Sequence, residues 1–130
     1  MQTFFLAMVC NPKVMKKAQE ELDRVVGKER LPDFSDKDNL PYIDALVKEL
    51  LRWGTPVPLS VVNRAIQDDV YRGYFIPAGA SVIQNVWAVL RDPKTYPDPE
   101  AFNPDRFLKD GKINPLVFNP ELRVFGAGRR

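Results

Sequence analysis

Glu49-Leu50-Leu51-Arg52 and the terminal run Phe125-Gly126-Ala127-Gly128-Arg129-Arg130 are where residue type and spacing first suggest chemistry. Three residues apart on a helix, a carboxylate and a guanidinium are neighbours and can pair. On an exposed face such a pair contributes only about 0–1 kcal/mol. Buried, the acid needs its cation, because an uncompensated charge away from water is costly. A third group, Phe102-Asn103-Pro104-Asp105-Arg106-Phe107, adds an arginine within a proline turn flanked by two aromatic anchors. The Gly-rich terminus, taken alone, fits loops of many kinds. With no histidine in the chain, His-based acid–base, triad and zinc chemistries are excluded. The lone cysteine, Cys10, excludes an internal disulfide and any multi-cysteine metal site. Lying in an apolar run, it reads as a small buried hydrophobe.

The elements that must position these residues follow from periodicity and punctuation. Asn11-Pro12 reads as a helix start, with Asn as cap and Pro in the first turn. Val14, Ala18, Leu22 and Val25 make one apolar stripe, Lys16, Lys17, Glu20, Glu21 and Arg24 fill the other face, and Gly27 supplies a stop. A second helix is expected from Pro41 to about Trp53. At 100° per residue, Asp44 and Lys48 share its solvent side, while Ile43, Leu46, Leu50 and Trp53 lie broadly opposite. Glu49 falls between Tyr42 and Ala45 with Arg52 beside it, so the acid is expected to be at least partly desolvated. Thr55-Pro56-Val57-Pro58 then forces extended backbone. Strands are expected over Leu59 to Ile66, Val70 to Ile76 and Ala80 to Val86, with a turn around Asp68-Asp69 and a possible bulge at Gly73. From Arg91 onward, prolines punctuate an irregular segment anchored by Trp87, Tyr96, Phe102, Phe107 and Phe118.

Composition sets the outer bounds. A chain of 130 residues suffices for one modest domain, and 45% hydrophobic with 28% charged residues fits a globular composition. Nineteen basic against seventeen acidic residues give no electrostatic case for nucleic acid. The apolar run Phe4 to Val9 is far shorter than the roughly 20 residues of a membrane span. It also lacks the flanks of a signal peptide, and reads as the tail of a core helix whose beginning is absent.

Glu-x-x-Arg, the Phe-x-Pro-x-Arg-Phe turn and the Phe-x-x-Gly-x-Arg terminus occur in one order, with a proline-interrupted β segment between the first two. Together they resemble the cytochrome P450 family over essentially the whole chain. Leu40-Pro41-Tyr42, Tyr71-Arg72-Gly73-Tyr74-Phe75-Ile76-Pro77 and Asn85-Val86-Trp87-Ala88 point to its eukaryotic members, of the fungal microsomal type. The resemblance implies a mainly α fold with a small β-sheet (α+β), namely helices, a three-strand β segment and a Pro-rich meander. It also implies that residues 1–130 are a single partial domain without internal boundary.

By that resemblance Glu49, Arg52 and Arg106 form a structural triad in which two guanidiniums hold one carboxylate. Phe125, Gly128 and Arg130 belong to the heme loop: an aromatic packed on its proximal side, a glycine close to the porphyrin, and a propionate partner. Arg64 is a second propionate contact, with Asn63 before it where many relatives carry His. Val57, Leu59 and Val61 read two ways, as lining of a lipophilic substrate cavity or as ordinary core. The implied activity is insertion of one oxygen atom into an organic substrate, with heme as cofactor and a reductase as electron donor, on the endoplasmic reticulum membrane. The family's cysteine ligand would fall two positions beyond Arg130, so the 130 residues are expected to contain no catalytic residue or iron ligand and to be inactive alone. The alternative is a non-catalytic module that docks through the Pro12–Val26 helix, or a decayed gene product.

Overall fold

Three helices form the first half of the chain in the computed structural model, which describes residues 2–126: α1 (Gln2–Cys10), α2 (Pro12–Val25) and α3 (Pro41–Gly54). α2 begins and ends where its punctuation predicts, and Gly27 (φ +78°) takes the left-handed geometry of its stop. Asn11 does not cap it. Its Nδ2 donates back to the Ala7 carbonyl at 2.9 Å, which ties the α1–α2 corner. Cys10 is exposed, because the inward positions of short α1 are taken by Ala7 and Met8.

Glu21 and Lys48 also depart from the helical-wheel reading, since both are buried. α3 starts at Leu40-Pro41 with no side-chain cap, leaving first-turn N–H groups to be satisfied from elsewhere. Glu21 reaches across from α2 and accepts from the backbone N–H of Tyr42 (3.1 Å) and Ile43 (2.9 Å). A wheel drawn for one helix does not show a cap supplied by another.

Between α2 and α3, the 3-10 turn Phe34–Asn39 is set by two acids. Asp33 accepts from Ser35 N, and Asp36 accepts from Asp33 N at 2.9 Å while holding Arg30 through two contacts of 2.6 and 2.7 Å. Hydrogen bonds from the Arg30 guanidinium and then from Asp33 N hold the Asp36 carboxyl down to about 2. A depressed carboxyl stabilises the fold fully above its unfolded value, about 4, and loses that contribution as pH falls through about 2. Asp36→Asn should therefore unfold at a higher pH than the parent on acid titration. Coincident acid midpoints would refute the assignment.

The β structure is three separate two-stranded antiparallel ribbons rather than one three-strand sheet. β1 (Asn63–Arg64) pairs with β4 (Ser81–Val82), β2 (Asp69–Tyr71) with β3 (Tyr74–Ile76), and β5 (Leu108–Lys109) with β6 (Lys112–Ile113). The expected strand from Val70 to Ile76 is itself a hairpin. Arg72 (φ +51°) and Gly73 (φ +85°) both take left-handed backbone, the geometry of a tight two-residue turn that matches strand twist. Gly73 is thus a turn residue, not a bulge. Strand pairing at Leu59–Ile66 and Ala80–Val86 contracts to two residues each, because Asn85 caps the short helix α4 (Val86–Leu90) by accepting from Ala88 N. A last short helix, α5 (Glu121–Val124), precedes Phe125. Mainly α with small β pieces is the class observed.

The buried core has two parts with α3 between them. Ala7, Met8, Ala18, Tyr42, Leu46 and Phe102 make one, and Ala45, Val86, Leu90, Tyr96 and Phe107 the other. α3 therefore contributes side chains to both, and its polar residues Glu49 and Arg52 are fully buried.

Candidate functional site

Glu49 and Arg52 lie one turn apart on α3, both at 0% exposure, and pair bidentately: Nε donates to Oε2 at 2.7 Å and Nη2 to Oε1 at 2.8 Å. Arg52 has three further hydrogens, and each finds a backbone carbonyl. Nη1 donates to Leu90 (3.2 Å) and Pro99 (2.7 Å), and Nη2 to Ala101 (3.0 Å). All five donors of the guanidinium fork are used. Tyr96 closes the site from the side, its ring 5.5 Å from the guanidinium carbon.

Arg106 arrives on the 3-10 turn Pro104–Phe107, whose geometry follows from Asn103: its side chain accepts from Asp105 N at 3.1 Å. Arg106 Nε donates to Glu49 Oε1 at 3.3 Å, Nη1 to the Pro97 carbonyl at 2.7 Å, and Nη2 to those of Asp98 (3.0 Å) and Ala101 (3.2 Å). Asn103 N adds a 2.7 Å hydrogen bond to the same Glu49 oxygen. The structure thus brings Glu49, Arg52 and Arg106 into one network.

Two cations and one carboxylate leave a net charge of +1 in this network. The carbonyl oxygens of Leu90, Pro97, Asp98, Pro99 and Ala101 supply the opposing partial charge. Trp53 completes the set by donating Nε1 to Glu100 at 3.0 Å, so every carbonyl from Pro97 to Ala101 accepts from a side chain of α3 or from Arg106. The prolines explain why: Pro97 and Pro99 have no N–H, and a segment so constrained turns its acceptors outward toward whichever donors are near. Thr55 marks the end of α3 with left-handed backbone (φ +30°), unusual for a β-branched residue, and its hydroxyl donates to the Arg52 carbonyl at 2.7 Å.

This network is a lock rather than a reaction centre. Glu49 and Arg52 are shielded from solvent and have their hydrogen bonds filled by protein groups. Arg106, 10% exposed, spends four of its five donors on Glu49 and backbone carbonyls, so little is left to act on a substrate. Burial also pushes the Tyr96 phenol well above its ordinary range, an effect partly opposed by Arg52. The phenol donates to the Phe118 carbonyl at 2.8 Å.

The other sequence-derived positions lie apart from the lock. Arg64 is exposed on β1 beside Gly79 (φ +84°), where an added Cβ would come 3.2 Å from Nη2. Val57 (40%), Leu59 (55%) and Val61 (76%) are exposed rather than core. Phe125 is exposed next to Gly126, whose φ is +92°. Gly128 and Arg130 fall outside the described residues. Sequence reasoning missed Trp53, Tyr96, Asn103 N and the carbonyl run as partners of the lock. The one available signal was the clustering of prolines opposite a helix carrying unmatched donors. No group of acids, cysteines or histidines suited to hold a metal is present among the described residues.

A mainly helical fold tied to a proline-rich meander by a buried Glu–Arg–Arg network defines a known class, and sequence comparison identifies it. The family described as Cytochrome P450 matches residues 1–130. Similar relatives include the cytochrome P450 monooxygenase COX2 of Coprinopsis cinerea, 55% identical over 99% of this chain and 24% of the relative. Another, from Armillaria gallica, is 53% identical over 98% of this chain and 25% of the relative. Cytochrome P450 monooxygenase 176 of Postia placenta is 50% identical over the whole chain and 25% of its own length. The chain belongs to the cytochrome P450 family and spans about a quarter of the length of these curated relatives.

Proposed function

We propose that this chain is a working part of a heme-thiolate monooxygenase, which inserts one oxygen atom from dioxygen into a lipophilic organic substrate with electrons from a reductase. The observation that carries the reading is the whole-length match to the family, joined by relatives of about 50% identity whose names are monooxygenases.

Heme fits the residues that remain open once the lock is set aside. A flat apolar ring bearing carboxylates suits an exposed aromatic face and an exposed guanidinium, and Phe125 and Arg64 offer these. When bound, a thiolate-ligated heme supplies dioxygen activation, with the sulfur pushing electron density toward O–O cleavage. Arg64 binds a propionate in this reading, and Arg130 is assigned the other by family resemblance. Phe125 packs beside the ligand loop, Gly128 lets its backbone approach the ring, and Val57, Leu59 and Val61 line the substrate side. Glu49, Arg52 and Arg106 touch neither heme nor substrate. They hold the meander at a fixed distance from α3, and so fix the stretch leading to the heme loop.

Attachment to the endoplasmic reticulum membrane is proposed on family grounds. No helix among the described residues is long and apolar enough to cross a membrane.

The direct test is a chimera in which these 130 residues replace the matching segment of the C. cinerea relative. The reduced, CO-bound protein should show a thiolate-type Soret band, and a correctly sized but heme-free product would overturn the reading. The 130 residues alone should give no such band, because their one cysteine, Cys10, sits on α1, far along the sequence from the Phe125 loop.

A further inference from the structure

Lys48 is the one buried lysine among the described residues, and the lock does not use it. It precedes Glu49 on α3 and points to the other flank. Its Nζ donates to Asp44 Oδ1 at 2.8 Å and to Glu121 Oε1 at 3.4 Å. Glu121 opens α5 and is itself held: its N–H donates to Asn119 Oδ1 at 3.1 Å, and its Oε2 accepts from Asn119 Nδ2 at 3.1 Å. From Glu121 the backbone runs directly to Phe125 and Gly126, and Phe125 N donates back to the Glu121 carbonyl at 3.1 Å. Asp44, Lys48, Glu121 and Asn119 therefore tie the four-residue helix before the heme loop to the helix that carries the lock.

A helix this short does not hold itself together. Pro120, just before it, is fully buried, Val124 packs against the second core cluster and Arg123 lies 5.5 Å from the Phe118 ring centre, while Leu122 and Phe125 are exposed. Those contacts seat α5 on the core, and the charged tie is its side-chain ion pair to α3, which sets where the helix points. The side chain of Lys48 is only 11% exposed and that of Glu121 37% exposed, so the pair is less screened than a surface bridge.

We propose that Lys48 is a positioning residue for the heme loop, acting through Glu121 to set α5 and with it the direction in which Phe125-Gly126 leave the helix. This rests on the heme-thiolate reading. One helix then serves two flanks of the same site: Arg52 fixes the meander, and Lys48 fixes the exit from it.

The test uses the C. cinerea chimera and its Lys48→Met, Glu121→Gln and Lys48→Arg forms. Hydrogen exchange at the Val124 and Phe125 amides, both hydrogen-bonded within α5, should accelerate about tenfold in Lys48→Met while amides of α3 are unchanged. Glu121→Gln should produce a similar change, the double variant no more than either single one, and Lys48→Arg should restore slow exchange. In the reduced, CO-bound spectrum, part of the thiolate-type band should be lost in Lys48→Met without a fall in global melting temperature. A role confined to stability would instead lower melting temperature and leave the band shape intact. Exchange within twofold of the parent, or additive effects in the double variant, would overturn the proposal. Exchange is readable in heme-free protein too, so absence of the band in the unmutated chimera counts against the monooxygenase reading and leaves the Lys48–Glu121 test standing.

Discussion

Glu49→Gln in the C. cinerea chimera should cost roughly 3–5 kcal/mol, the range for removing one partner of a buried charged set. The substitution is nearly isosteric, so no cavity contributes. What changes is charge: the guanidiniums of Arg52 and Arg106 lose the carboxylate they share, while Arg52 stays fully buried and Arg106 largely so against the carbonyls. The amide also turns a donor toward donors. Glu49 Oε1 accepts from Arg52, Arg106 and Asn103 N, and Oε2 from Arg52, so either orientation of the glutamine sets an NH2 against at least one of them. Because the damage falls where the meander is fastened, heme incorporation should fail together with stability. Urea titration and heme content of purified protein, measured side by side with the parent, check this. Loss of stability with full heme content would show that the lock does not govern the loop.

The helices were legible because their signals are local. The stripe from Val14 to Val25, the proline starts and the spacing of Glu49 from Arg52 are properties of a single helix, and α2 and α3 form as expected. Glu49's burial followed from its place between Tyr42 and Ala45. Partners contributed across the fold left no local signal. Glu21 looks like a surface acid until α3 is seen to need a cap, and Lys48 looks solvated until α5 settles over it. The strands failed for a related reason. The run Leu59 to Ile66 suggests a long strand, but only Asn63 and Arg64 in it are paired, and Leu59, Val61, Val62 and Ile66 are exposed. Apolar, β-branched composition reports that a run suits extended, pleated backbone and not which strand, if any, pairs with it. In the meander, prolines marked irregularity correctly. In the fold that irregularity aims five consecutive carbonyls at three side chains.

That carbonyl array is why Arg52→Lys should not be conservative. A buried ion pair can often be exchanged for apolar residues at little cost, since the charges mostly offset their own desolvation. Here the arginine also serves Leu90, Pro99 and Ala101, whose carbonyls cannot be mutated away. The fork spreads its donors around a plane, with Glu49 along one edge and Leu90 and Pro99 at the far nitrogen. An ammonium presents three hydrogens from a single atom, so it can serve the carboxylate edge or the far carbonyls but not both. Each buried acceptor stranded this way costs roughly 1–3 kcal/mol. Arg106→Lys should be milder: its side chain is 10% exposed, so water can reach what lysine does not, and its contact to Glu49 is the longer one at 3.3 Å. The expected order of loss in urea midpoint is therefore Arg52→Lys greater than Arg106→Lys. A Glu49→Leu/Arg52→Leu/Arg106→Leu variant should remain unstable although it leaves no unpaired charge in the network. Should that neutral set instead match the parent in stability and heme content, the carbonyl array would carry no weight and the lock would reduce to ordinary ion pairing.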